Sequence, residues 1–264
     1  MVMRPYGNWF RIELATVLTY RANFVFGRIR ELVVACALGF LYTQVTETGP
    51  LATYGRDALL QYLFLSTFVA TILSAYAMHT MANEIADGDL TNYLLRPTNY
   101  LLVWVSRMAA VRCLSVVMGC FELMLLWAIF RPVLAWPGAA RMAMFVVFLL
   151  GSVVLLQLLD LLAGCLGFWT HRSHGPRWML TMFVQLLSGA FLPIDAFPRW
   201  VRLVLEATPF PSLIFAPVRA LVGDTSVASL VSRLGVQIAW SGVLAVALAV
   251  MWRRGVRSYD AVGR

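Results

Sequence analysis

Lysine is absent from this chain: all 21 basic residues are arginine. That absence excludes the phosphate-binding loop of ATP hydrolases, whose lysine reaches the terminal phosphates, and the lysine imines of Schiff-base enzymes. If ATP drives this protein, another chain must hydrolyse it. Charge of either sign is scarce. Only 13% of the 264 residues are charged and 61% are hydrophobic, whereas soluble domains carry about 25% and about 45–50%. Such an excess of apolar residues cannot be absorbed by one soluble core, but lipid absorbs it when helices satisfy their own backbone polar groups. The four cysteines, Cys36, Cys113, Cys120 and Cys165, lie in apolar stretches without a close CxxC pair. They read as small core fillers rather than as a disulfide or metal framework. The net charge of +8 comes from arginines spread among loops, with no long basic run, so it points to membrane orientation and not to nucleic acid.

What is present is a series of apolar segments, and they predict an all-α membrane protein of about six transmembrane helices. Residues 1–30 hold five arginines before any long apolar run, too long and too polar for a cleaved signal. Within them Arg4 to Arg30 plot as an imperfect amphipathic helix. Phe10, Leu14, Val17, Leu18, Phe24 and Val25 share one side, with Glu13, Thr16, Thr19 and Asn23 opposite, and Arg21 and Arg28 interrupt the apolar side. Such a helix either lies flat on the membrane surface or packs under the membrane domain. Residues 31–264 then form one six-helix domain. Its spans are expected at Leu32–Val45, Ala58–Ala82, Leu101–Phe130, Met142–Thr170, Trp178–Ile194 and Leu234–Trp252. Between the fifth and sixth, residues 193–230 are too apolar for a free linker and carry Pro193, Pro198, Pro209, Pro211 and Pro217. Short helices with prolines at their starts, dipping into the outer membrane edge, fit that composition. Neither an internal repeat nor a low-complexity stretch divides the chain.

Orientation follows from the arginines. With both termini in the cytoplasm, inner segments hold Arg4, Arg11, Arg21, Arg28, Arg30, Arg96, Arg107, Arg172, Arg177, Arg253, Arg254, Arg257 and Arg264. Outer segments hold Arg56, Arg131, Arg141, Arg199, Arg202, Arg219 and Arg233, and Arg112 lies inside a span. The excess inside predicts cytoplasmic ends and an even number of spans.

The inner segment 83–99 is the most informative polar stretch. Glu84, Asp87, Gly88 and Asp89 precede Leu90 to Leu95, and Arg96 and Pro97 follow. Asp89 is placed to cap a short helix that Pro97 stops. Such an element either docks into a groove on a partner or is a plain solvated loop.

This stretch, through Glu84, Gly88, Leu90, Leu94, Leu95, Arg96 and Pro97, resembles the loop after the second helix of ABC-2 type exporter permeases. Two further segments are similar to that family: Ser188, Gly189 and Pro193 leading to Phe197, Pro198, Trp200, Pro209, Pro211 and Gly223, and the ending Trp252 to Arg257 with Tyr259, Val262 and Gly263. The resemblance implies a bacterial inner-membrane permease subunit that pairs with a second permease, alike or different. Cytoplasmic ATP-binding subunits would bind beneath it and hold ATP and magnesium, with no cofactor on this chain. It also implies that Glu84, Asp87, Gly88, Asp89, Leu94, Arg96 and Pro97 form the coupling contact with those subunits.

Four charges fall within the expected spans: Arg107, Arg112, Glu122 and Asp160. Glu122 and Asp160 must face protein, water or an arginine, because a charge at the bilayer centre costs about 2.5–3.5 kcal/mol on insertion scales. Glu122 and Asp160 read either as a polar lining of a transport path, or as structural charges paired with Arg112, or as neutral buried carboxyls. Arg107 lies close enough to the inner boundary to snorkel. His171 and His174 form an HxxH without a neighbouring cysteine or carboxylate, and His79 stands alone. The competing function classes are an intramembrane lipid-modifying enzyme, for which only Glu122 and Asp160 offer chemistry, and a membrane scaffold without transport.

Overall fold

A computed structural model describes residues 4–47, 54–73, 81–95, 98–132, 138–170, 174–222 and 227–259. The elements among them are helical: α1 (Arg4–Thr19), α2 (Arg21–Glu47), α3 (Arg56–Leu73), α4 (Met81–Ala86), α5 (Leu90–Leu94), α6 (Tyr100–Phe130), α7 (Ala139–Cys165), α8 (His174–Leu187), α9 (Arg199–Glu206), α10 (Phe215–Leu221) and α11 (Val227–Arg257). Short 3-10 turns follow α7 and flank α9. Four of these helices are long and apolar enough to cross a membrane: α3, α6, α7 with its 3-10 extension to Phe168, and α11. The other two expected spans differ for different reasons. α2 has 27 residues but keeps Arg28, Arg30 and Glu31 before its apolar stretch. α8 has only 14 residues, about 21 Å of helix, because the chain turns at Ser188 and Gly189.

The N-terminal segment departs from the expected single helix over 4–30. It breaks at Tyr20, and α2 begins ten residues before the expected start of the membrane domain. Both parts run in the same direction as α6 and pack along it. Tyr6 Oη accepts from the Asn99 amide at 3.2 Å, Glu13 meets Arg107, Val17 packs with Val111, and Gly39 lies under the Phe130 ring. The helix faces also differ from the expected ones. Glu13, assigned to the polar side, is 4% exposed, whereas Leu18 and Val25, assigned to the apolar side, are exposed. For α1 the physical reason is Arg107, a buried cation that draws Glu13 inward; Val25 lies on α2, beyond the break at Tyr20.

The main core joins α2, α3, α6, α7 and α10, centred on Leu59, Leu60, Tyr62, Leu63, Phe64, Phe148 and Phe215, each at most 1% exposed. A second cluster fills the opposite end, where Met81, Ile85 and Leu90 of α4 and α5 meet Tyr100, Trp104, Leu161, Cys165 and Leu248. Outward faces are apolar, as with Val117, Phe121 and Met124 on α6 and Ile238, Val243 and Val246 on α11. A helix end that faces lipid needs no polar face.

The segment after α8 is folded back onto the bundle. α10 is almost wholly buried, and Pro198 and Pro209 stand at the N-cap positions of α9 and the following 3-10 turn. Its irregular backbone is satisfied by side chains from the long helices, as buried backbone requires. Ser152 Oγ donates to the Ser212 carbonyl at 2.8 Å and Gln237 Nε2 to the same oxygen at 3.0 Å.

Candidate functional site

The segment expected to face a partner is a compact pair of short helices clamped to the ends of longer ones. α4 buries Met81, Ala82 and Ile85 and crosses the end of α7 closely. A Cβ at Gly167 would come within 2.5 Å of the Ala82 carbonyl oxygen, so only glycine allows this approach. The turn into α5 uses Gly88 at φ +87°, and Leu90 is fully buried. Thr91 Oγ1 lies 3.4 Å from Tyr259 Oη. An aromatic chain runs across the elements, from Trp9 to Tyr93 to Tyr100 to Trp252, with ring centroids 5.0–5.6 Å apart.

Glu84 is a tie within the chain. Its Oε1 lies 2.6 Å from Arg107 Nη1, and its Oε2 accepts from Tyr100 Oη at 2.8 Å. Arg107 also holds Glu13 through Nε at 2.8 Å and stacks 4.5 Å from the Trp104 ring. One arginine thus joins α1, α4 and α6. The expected snorkelling of Arg107 does not occur: the side chain is buried between two carboxylates. The expected cap also fails. Asp89 is itself in helical geometry and makes no side-chain cap hydrogen bond. The turn is held instead by backbone bonds from Thr91 to Gly88 and from Asn92 to Asp89. What the segment presents outward is Asp87, Asp89, Asn92, Leu94 and Leu95, with Leu95 81% exposed. Arg96 and Pro97, the last two expected coupling residues, lie outside the described residues, as do His79 and His171.

The intramembrane charges separate into two places. Glu122 is 4% exposed and accepts from Thr71 Oγ1 at 2.7 Å across the α3–α6 contact. Arg112 donates to Gln157 Oε1 at 2.6 Å, and Asp160, one turn further along α7, attracts it. Asp160 also lines an open-sided cavity of about 1180 Å³ between α2, α3, α7 and α8. Arg112 is thus held by Gln157, while Glu122 has a hydroxyl partner of its own.

Two constellations escaped the sequence reading. Along the turn after α8, consecutive carbonyls are each taken by a hydroxyl: Gly189 by Tyr62 at 2.6 Å, Ala190 by Ser66 at 3.0 Å and Phe191 by Tyr42. The Ser188 carbonyl accepts from the Phe215 amide at 2.9 Å. Near the start of α3, Tyr54 Oη donates to Asp195 Oδ2 at 3.1 Å and accepts from Arg219 Nη1 at 2.8 Å. Tyrosines and serines on span-like stretches were the available signal, but their partners are backbone atoms that no residue type announces.

No curated protein matches the chain. A family model described as ABC-2 family transporter protein matches residues 32–263, from the apolar part of α2 to the C-terminal tail. The all-helical bundle, its apolar outward faces and that match over most of the sequence agree, and the chain belongs to the ABC-2 family of transporter membrane proteins.

Proposed function

We propose that this chain is the membrane-spanning permease subunit of an ATP-driven exporter, working with cytoplasmic ATP-binding subunits and a second permease copy, alike or different. The observation that carries the reading is the α4–α5 segment. It presents Asp87, Asp89 and Leu94 outward while Glu84, through Arg107, ties it to α1 and α6. A push on this segment reaches several helix ends at once, which is what coupling to a moving partner requires. Absence of lysine supports placing ATP and magnesium on the partner. In this reading α2 and α8 complete six spans, the 193–230 segment is re-entrant, both termini are cytoplasmic and the membrane is the bacterial inner one.

Affinity purification of the tagged chain from its native membrane tests the proposal. An ATP-binding subunit should copurify with ATP hydrolysis activity, and the D87R/D89R double variant should lose that partner or its activity while eluting at the same size. Recovery of the intact chain without any nucleotide-binding subunit would overturn the reading.

A further inference from the structure

We propose that α7, with its 3-10 extension, and α11 form one rigid rod that carries strain between the α4–α5 segment and the folded-back segment at the opposite end of the bundle. The inference rests on the permease reading only in naming what moves the α4–α5 end. The two helices are keyed together twice, each time by a side chain of one over a glycine of the other. Gly151 of α7 receives Gln237 of α11, and a Cβ there would lie 2.6 Å from Gln237 Oε1. Gly255 of α11 receives the Phe168 ring, with which a Cβ would collide. Gln237 and Gly255 are eighteen residues apart, about 27 Å of helix. Because one key projects from each helix, neither can slide past the other without breaking one of them.

Each end of the pair is fastened to a different segment. At the α4–α5 end, a Cβ on Gly164 would lie 2.7 Å from Met81 Sδ, and one on Gly167 would lie 2.5 Å from the Ala82 carbonyl oxygen. The second contact is backbone on backbone, so no side-chain rotation can absorb a displacement there. Phe168, the next residue, stands edge-on to Trp252 and Tyr259 of the α11 end, with ring centroids 5.6 and 5.9 Å away. At the opposite end, Gln237 Nε2 donates to the Ser212 carbonyl at 3.0 Å. Arg233 meets Glu206 of α9 at 3.1 Å and lies 5.1 Å from the Phe215 ring of α10. Gln237 is 1% exposed, so water does not stand ready to replace its bond to Ser212. A close-packed interior passes strain on rather than absorbing it. A displacement of α4 therefore reaches α9 and α10 through the pair, and Gly151, Gly167 and Gly255 are positioning residues for that movement.

Hydrogen exchange read by mass spectrometry on the full chain in lipid nanodiscs tests this without any partner. G255A wedges a methyl against Phe168, and the shift should reach the bond from Gln237 to Ser212. Amides of 205–222 should then exchange about tenfold faster, the effect of one buried hydrogen bond lost. G255A/F168A takes away the ring that is pushed and should return those amides to the wild-type rate. G151A disturbs the other key and should speed exchange at the far end, in 81–95, because coupling between two sites is reciprocal. It also stands in for G255A if that variant does not fold, with folding judged by elution volume. Acceleration confined to the neighbourhood of each substitution, or acceleration of 205–222 that persists in G255A/F168A, would overturn the proposal. Failed transfer in a chain that still recruits an ATP-binding subunit sinks this inference alone, whereas transfer in a chain that no ATP-binding subunit joins sinks the permease reading and leaves the rod.

Discussion

Arg107 Nη1 lies 2.6 Å from Glu84 Oε1, and the same guanidinium holds Glu13. Removing the arginine leaves two carboxylates uncompensated, Glu13 at 4% exposure. The expected cost of R107A is about 3–5 kcal/mol, the range for breaking a buried ion pair from one side. R107K should recover little, because one ammonium cannot serve two carboxylates in the fork geometry of arginine. Thermal unfolding in detergent of both variants checks this, and a midpoint near wild type for R107K would show that charge alone suffices.

Asp89 gives the opposite expectation. With no cap hydrogen bond to lose, D89A should change stability by no more than about 0.5 kcal/mol, as for an exposed position without a special role. A loss of a kilocalorie or more in the same unfolding assay would indicate a cap that forms in the working protein.

Gly189 sits at φ +81°, and a Cβ there would lie 2.9 Å from Tyr62 Oη. G189A therefore combines left-handed strain of about 1–3 kcal/mol with displacement of the hydroxyl that holds its own carbonyl. Y62F removes only the hydroxyl and should cost about 1–3 kcal/mol by leaving a buried acceptor unpaired. The double variant should fall well short of the sum, since both act on one contact. Additive losses in a double-mutant cycle would separate the two effects.

Burial pushes the Tyr54 hydroxyl up to about 12, with Arg219 opposing the rise and Asp195 adding to it. The neutral hydroxyl is the form the fold favours. Its contribution is intact below the unfolded-chain value near 10 and fades as pH climbs toward 12. Ultraviolet phenolate titration of Y54F against wild type should remove one late-titrating tyrosine and flatten the stability slope in that window. An unchanged slope would place the loss elsewhere.

Apolar periodicity and the near absence of charge made the long helices legible: α6 begins at Tyr100 where Leu101 was expected, and ends at Phe130 as expected. Composition alone could not place the ends of α8, because Trp178–Ile194 reads as one apolar run, whereas Gly189 at positive φ turns the chain and hydroxyls from other helices hold the turn. The short pair α4–α5 was located by its acids, glycine and proline. The role of Glu84 within it was not legible, since both of its partners lie on a helix further along the chain and nothing in the local pattern names Arg107 or Tyr100. The face of α1 was misassigned for the same reason. A helical wheel assigns a carboxylate to the polar side unless a buried cation elsewhere claims it.

The pairing of Glu13 with Arg107 spans 94 residues, and this imposes an order on synthesis. At about 5–20 residues per second, Glu13 waits roughly 5–19 s on the ribosome before its partner exists. During that interval the Arg107 guanidinium is not there for Glu13 to turn toward, so the apolar residues of α1 rather than this acid decide how it meets the bilayer. Pairing with α6 then draws the acid inward and leaves Leu18 of the older helix facing outward. The N-terminal helix thus acquires its final orientation late, from a helix made long after it.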